Sequence, residues 1–236
     1  MFDSYPNEGK SPGKEKLMEQ RTIRITGTGS KSYKPDLIRV KLGFEKTMPS
    51  YEEALNKAAE HTRLVKQEAI KAGVEEGNIR TSSFDVSPKY ETYTDKDNNY
   101  KRRFKGYAAS VSFLITIPLD NKLLSNVLYA LKDYTGDFRI IYALKDKEKA
   151  KEEVIALAVK SAKRKAELLA EAAGEKLGDI LNIDYSYGRV EFHSRYDDDI
   201  CLNTKIMSRC GSAPQIELDP EDLDFSDTVN ITWSLR

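Results

Sequence analysis

Cysteine, histidine and tryptophan are scarce in this chain, with two, two and one respectively among 236 residues. A disulfide-framed fold of this length would carry more cysteines, so Cys201 and Cys210 are expected to be two reduced thiols. With only His61 and His193, a Ser–His–acid triad has little to recruit, and no Gly-x-Ser-x-Gly elbow appears. Cys-x-x-Cys and His-x-x-x-His spacings are also missing. No apolar run approaches the roughly 18 residues of a membrane-spanning helix. The longest, Ala108 to Ile117, is interrupted by Ser110, Ser112 and Thr116 and reads as a strand. Net charge is absent as well: 38 Lys and Arg balance 38 Asp and Glu. Neutrality argues against bulk attraction to nucleic acid or to an anionic membrane. The opening residues, MFDSYPNEGKSPGKEKLMEQ, contain no apolar core and no small-residue cleavage site. A cytoplasmic protein is therefore expected, or an exported one if a leader has been removed. Residues 1–20, rich in Pro, Gly and alternating charge, are expected to be a flexible tail.

What the chain does contain is periodicity. Arg21 to Gly27 alternates Ile23 and Ile25 with polar residues and predicts a short strand, with the glycines of GTGS at 27–30 making a turn. Ile38, Val40, Leu42 and Phe44 mark one face of a second strand. Ser50, with Glu53 three residues on, is a capping-box start for a helix over 51–72. Its inward stripe is Ala54, Leu55, Ala58, Thr62, Val65 and Ala69, which leaves His61 solvated. Strands follow over 78–93 and 103–117, joined by a polar turn. Next come a short helix after Asp120, a strand over 137–144 and a long helix over 147–173. Strands over 179–192 and 227–235 complete the chain.

The order strand, helix, Gly, strand, strand occurs twice. Ala72-Gly73-x-x-x-Gly77-Asn78-Ile79 matches Ala173-Gly174-x-x-x-Gly178-Asp179-Ile180, an offset of 101 residues. Gly73 and Gly174 are expected to take left-handed caps, and Gly77 and Gly178 to turn the chain back to the sheet. The predicted fold is α+β, built from duplicated strand–helix–strand–strand units. Its sheets are antiparallel-rich, with long helices packed on one face. The lobes run over 21–118 and 119–236, the second carrying a polar insertion at about 193–225.

Several of these residues recur in one ordered series. Gly27-Thr28-Gly29 precedes Pro35-Asp36 and the Val40/Leu42 strand; Ala72-Gly73-Val74 precedes Ile79 and Thr81. Then come Pro88-x-Tyr90, Gly106-Tyr107, the Ala158/Ala162/Lys165-Ala166 helix, Gly174, Leu177-Gly178 and Pro214. This series, over nearly all of 21–236, resembles the SIMPL family, a bacterial domain family of unknown function. The resemblance implies no catalytic residues, because none are established for the family. Its members are similar to a periplasmic antigen that forms a ring-like oligomer, and some are linked to stress tolerance or envelope functions. A homo-oligomer, or a scaffold for an unknown protein partner, is the corresponding expectation.

Three chemical readings compete with that one. Gly27-x-Gly29 lacks the third glycine of a dinucleotide fingerprint, with Ser32 in its place, and no helix follows it. His193, Asp197, Asp199, Cys201 and Cys210 in the insertion are the candidate metal ligands of a metal- or small-molecule-dependent enzyme, but an acidic solvated loop is the preferred account of them. Lys101-Arg102-Arg103-Phe104-Lys105, beside Tyr100 and Tyr107, fits single-stranded nucleic acid or else a charged edge strand that resists aggregation. A second cluster, Lys160 with Lys163-Arg164-Lys165, falls on the outer face of the long helix. The preferred reading is a non-enzymatic protein with no cofactor.

Overall fold

A computed structural model describes residues 21–94, 98–185, 191–193, 200–203 and 217–236. The elements are β1 (Thr22–Tyr33), β2 (Leu37–Met48), α1 (Tyr51–Lys71), β3 (Ile79–Thr94), β4 (Tyr100–Pro118) and α2 (Asn121–Leu131). They continue as β5 (Asp137–Ala143), α3 (Lys147–Ala172), β6 (Leu177–Asp184), β7 (Glu191–His193), β8 (Ile200–Asn203) and β9 (Leu223–Leu235). One sheet has five strands in the order β3-β4-β2-β5-β8; the other runs β1-β9-β6, with β7 also pairing β9. The pairs β2–β4, β2–β5, β3–β4, β5–β8, β6–β9 and β7–β9 are antiparallel. The fold is α+β with antiparallel sheets.

Local sequence explains the element ends. The Ser50 hydroxyl accepts from the Glu53 backbone N–H at 3.2 Å and starts α1. The Asp120 carboxylate accepts from the N–H groups of Lys122 and Leu123 at 2.8 and 3.1 Å and starts α2. Gly73 and Gly174 follow α1 and α3 with φ of +105° and +73°, the left-handed region that a Cβ disfavours. Gly77 lies in a single 3₁₀ turn (Glu76–Asn78) with open space around it. Gly178 lies inside β6, where a Cβ would collide with Ser234.

The turn expected at GTGS does not form, because β1 continues through it to Tyr33. Gly27 serves packing instead. A Cβ there would strike the carbonyl of Ala158 and the side chain of Ala162, so the glycine lets the strand lie against α3.

Contacts divide the chain into two compact units whose segments interleave. Of the described residues, unit 1 takes 21–29, 155–185 and 227–236, and unit 2 takes 30–94, 98–154, 191–193, 200–203 and 217–226. In unit 2 the inward faces of β2, β4 and β5 bury Ile38, Val40, Phe113, Ile115, Phe138 and Ile140 against α1 and α2. Fully burying each such side chain stabilises by about 1.5–3 kcal/mol. Unit 1 has a smaller core: Ala158, Ala162 and Ala166 of α3 meet Val229, Ile231 and Trp233 of β9.

Candidate functional site: an aromatic and cationic arm

β2 accompanies β4 only as far as the Met48–Tyr107 pair. β3 and β4 continue past that point, from Lys89–Gly106 out to Thr94–Tyr100. Gly106 marks the departure: its φ is +133°, and a Cβ would collide with the Met48 carbonyl. Beside it Lys105 is bulged, because β4 skips one residue between the pairs Lys89–Gly106 and Tyr90–Phe104. The far end is therefore a two-stranded ribbon, an arrangement only marginally stable by itself in water.

The arm carries apolar surface. Tyr90 and Phe104 are directly opposed and half exposed, and Tyr100 is 83% exposed. Edge-to-face contacts run from Tyr90 to Phe104 (5.7 Å), Phe104 to Tyr107 (5.3 Å) and Tyr107 to Tyr51 (5.7 Å). Arg102 stacks over Tyr90 at 5.2 Å, and Arg103 lies 5.6 Å from the Tyr93 ring centre. Glu91 pairs with both Arg103 and Lys105, whose charges and hydrogen bonds hold its carboxyl below the usual carboxylate range. The basic run at 101–105 is thus divided by strand alternation rather than forming one charged stripe. The aromatic row was not legible in the sequence, since Tyr90 and Phe104 meet only through the register.

β3 is also a sheet edge, as is β6 in the other sheet. β6 exposes Ile180, Leu181 and Ile183, and Leu168 of α3 is 66% exposed. A groove of about 330 Å³ in unit 1 is lined by Val159, Leu177, Ile180, Ile231 and Trp233. The Lys163–Glu167 pair, 3.9 Å apart, also lines it.

His61 is not solvated but buried, on the stripe formed with Ala54, Ala58, Val65 and Ala69. The expected Thr62 position misjudged the helical phase by one residue. The His61 ring stacks on Phe44 with centroids 3.8 Å apart, and its Nε2 lies 2.7 Å from the Tyr134 carbonyl oxygen. Since a carbonyl only accepts, Nε2 carries the proton, and among the described residues buried Nδ1 has no partner. Burial pushes the imidazole pKa down.

Among the proposed metal ligands, Asp197, Asp199 and Cys210 lie outside the described residues. His193 is placed in β7 opposite Asp224, and Cys201 in β8 opposite Arg139. That part of the expected loop is therefore strand. Among the described residues no group of three or more His, Cys, Asp or Glu side chains is placed to hold a metal. No helix among them is long and apolar enough to cross a membrane.

The described residues form an α+β chain with antiparallel sheets and a projecting aromatic arm. Residues 23–233 match the SIMPL family, described as "Protein of unknown function (DUF541)", and the chain belongs to that family. It is similar to the 26 kDa periplasmic immunogenic protein of Brucella abortus (strain S19), with 29% identity over 165 residues. The equivalent protein of Brucella melitensis biotype 1 is 28% identical over the same length. Each match covers 68% of this chain and 65% of the relative. Both relatives are named as periplasmic, which overturns the cytoplasmic expectation. That expectation leaned on the first twenty residues, yet a leader is removed from a mature exported protein. The expectation of reduced thiols loses its basis with it.

Proposed function

We propose that this SIMPL protein is a non-enzymatic scaffold that works by assembling with itself or with a protein partner in the periplasm. The carrying observation is the β3–β4 arm, which holds half-exposed Tyr90 and Phe104 on a ribbon that extends beyond β2. A ribbon of two strands gains stability when a third surface covers its apolar face. Among the described residues β3 and β6 are outer strands of their sheets, and such edges offer backbone groups for the same purpose. The periplasmic names of the relatives support the compartment. Light scattering after size exclusion is the test, and a mass at a multiple of 26.8 kDa is expected. A Tyr90→Ser/Phe104→Ser chain should shift that mass toward the monomer. A monomeric wild type that also captures no protein from periplasmic extract would end this reading.

A further inference from the structure

The outer strand β3 is protected along one part of its edge and not along another. Among the described residues β4 is the only strand that pairs with it. Over the body of the sheet its edge is interrupted. Ser82 is an extra residue, bulged between the pairs Thr81–Phe113 and Ser83–Ser112, and Pro88 and Lys89 follow. Bulges, prolines and lysines are the devices that stop an edge from adding another strand. None of them lies between Tyr90 and Thr94, where β3 runs out along the arm as Tyr-Glu-Thr-Tyr-Thr. Thr and Tyr are strong strand formers, and the charge of Glu91 is already met by Arg103 and Lys105.

Pro88 also fixes which backbone groups face outward. The N–H and C=O groups of a strand alternate between its two sides, and a proline within a ladder takes a position whose N–H would point away from it. Pro88 is opposite Tyr107 inside the β3–β4 ladder. The bulge that follows lies on β4, at Lys105, so β3 keeps its phase past it. The N–H and C=O groups of Tyr90, Thr92 and Thr94 therefore point to the outer edge. Their side chains share one face, the face on which Tyr90 meets Phe104.

We infer that a second copy of this chain adds to this edge, its residues 90–94 running antiparallel to the first, about a two-fold axis at Thr92. This contact is one form of the self-assembly proposed above and rests on that reading. About the axis Thr92 faces Thr92, Tyr90 faces Thr94, and Glu91 faces Tyr93 of the other copy. Threonine pairs and aromatic–β-branched pairs are favourable cross-strand neighbours, and no like charges are opposed. Neighbouring registers are worse. An axis at Glu91 opposes two glutamates, and an axis at Tyr90 sets Thr92 against Pro88, which has no N–H to donate. An axis at Tyr93 leaves only residues 92–94 of the strand to pair. Two ribbons joined at Thr92 make one four-stranded sheet, and independent stability takes three or more strands with an apolar face. The two-fold keeps both copies of Tyr90 and Phe104 on the same side, as one continuous aromatic surface.

Charge swaps at the axis test this, because an isologous contact puts residue 92 against itself. Thr92→Lys and Thr92→Glu, each in the full chain, should lose the wild-type mass in light scattering at low ionic strength, the contact weakened by about tenfold or more. Mixing the two variants in equal amounts should restore that mass, since Lys then faces Glu. Thr92 is exposed, so the far-UV circular dichroism of both variants should match the wild type. Hydrogen exchange of the unaltered chain gives a second reading if either variant fails to fold. The amides of Tyr90, Thr92 and Thr94 should be protected at high protein concentration and exchange about tenfold faster or more on dilution, while those of Glu91 and Tyr93, which face β4, stay constant. Equal exchange of the three outer amides at both concentrations overturns the contact. An oligomeric wild type whose mass both variants keep, or whose mass the mixture fails to restore, overturns it too and leaves the scaffold reading standing. A monomeric wild type overturns the contact, and the scaffold reading with it if the chain also captures no periplasmic protein.

Discussion

Single residues carry much of this fold through the space they leave empty. Gly27→Ala would force a methyl group into the Ala158 carbonyl, so a loss of about 3 kcal/mol or more is expected from overpacking. Gly77→Ala meets open space and should change stability by less than about 0.5 kcal/mol. Gly73→Ala and Gly174→Ala fall between, at about 1 kcal/mol each, because the new side chain must take a positive φ. Urea melts of the four variants check this ranking, and a Gly27→Ala chain as stable as Gly77→Ala would refute the packing argument. His61 adds a pH dependence. Its folded pKa is depressed, chiefly by burial, below the value near 6.5 of the unfolded chain. The unfolded state therefore binds the proton first. The stability from neutral His61 is fully present above about pH 6.5 and is lost as pH falls through the folded value. His61→Gln keeps a donor for the Tyr134 carbonyl but cannot titrate. The difference in melting temperature between wild type and His61→Gln should therefore narrow from pH 7.5 to pH 5. A constant difference would show that His61 does not couple to folding.

At the scale of elements, what the sequence revealed was what repeats locally. Helix starts at Ser50 and Asp120 and the glycines after α1 and α3 were readable because capping chemistry sits within four residues of the end it makes. The β1 continuation through Gly27 was not, since its reason lies on α3, more than a hundred residues away. The aromatic row of the arm was invisible for the same reason. Tyr90 and Phe104 lie on different strands and meet only through the register, whereas the contiguous run at 101–105 drew attention and is partly neutralised by Glu91. The buried stripes of the two long helices also recur: Ala54 and Ala58 against Val154 and Ala158, then His61, Val65 and Ala69 against Ala162, Ala166 and Ala170. The offset is 100 residues for Ala54 and Ala58 and becomes the expected 101 from His61 onward, a change inside the helix. We propose duplication as the origin of this recurrence, with β1 beside β9 in the place that β2 holds beside β4. Removing the arm's aromatic surface should spare the fold, because Tyr90 and Phe104 are half exposed. Far-UV circular dichroism of Tyr90→Ser/Phe104→Ser should match wild type, and loss of the folded spectrum would make the arm a structural element instead.

For the whole molecule, the two cores differ in what they bury. In unit 2, phenylalanines, leucines and isoleucines of β2, β4, β5 and α2 fill the core, to which α1 adds Ala54, Ala58, Val65 and Ala69. In unit 1, α3 contributes Ala158, Ala162 and Ala166, so the apolar area removed from water rests mainly on Val229, Ile231 and Trp233. An alanine buries far less apolar area than a leucine, and burial stabilises at about 25 cal/mol per Å². Unit 1 also leaves Ile180, Leu181 and Ile183 exposed on β6, forgoing further burial. Its local opening free energy should therefore be the lower of the two. The chain carries its own reporter, since its single tryptophan, Trp233, is 3% exposed in the unit 1 core. Fluorescence thus follows unit 1, whereas far-UV circular dichroism follows the helices and strands of both. In a urea titration the fluorescence transition should come first, with its midpoint below that of the circular dichroism. Ile231→Ala, which removes a fully buried side chain beside Trp233, should cost about 2–5 kcal/mol there and widen the gap between the two midpoints. Coincident transitions in both the wild type and Ile231→Ala would mean that the units unfold as one cooperative body, and that the larger core supports the smaller.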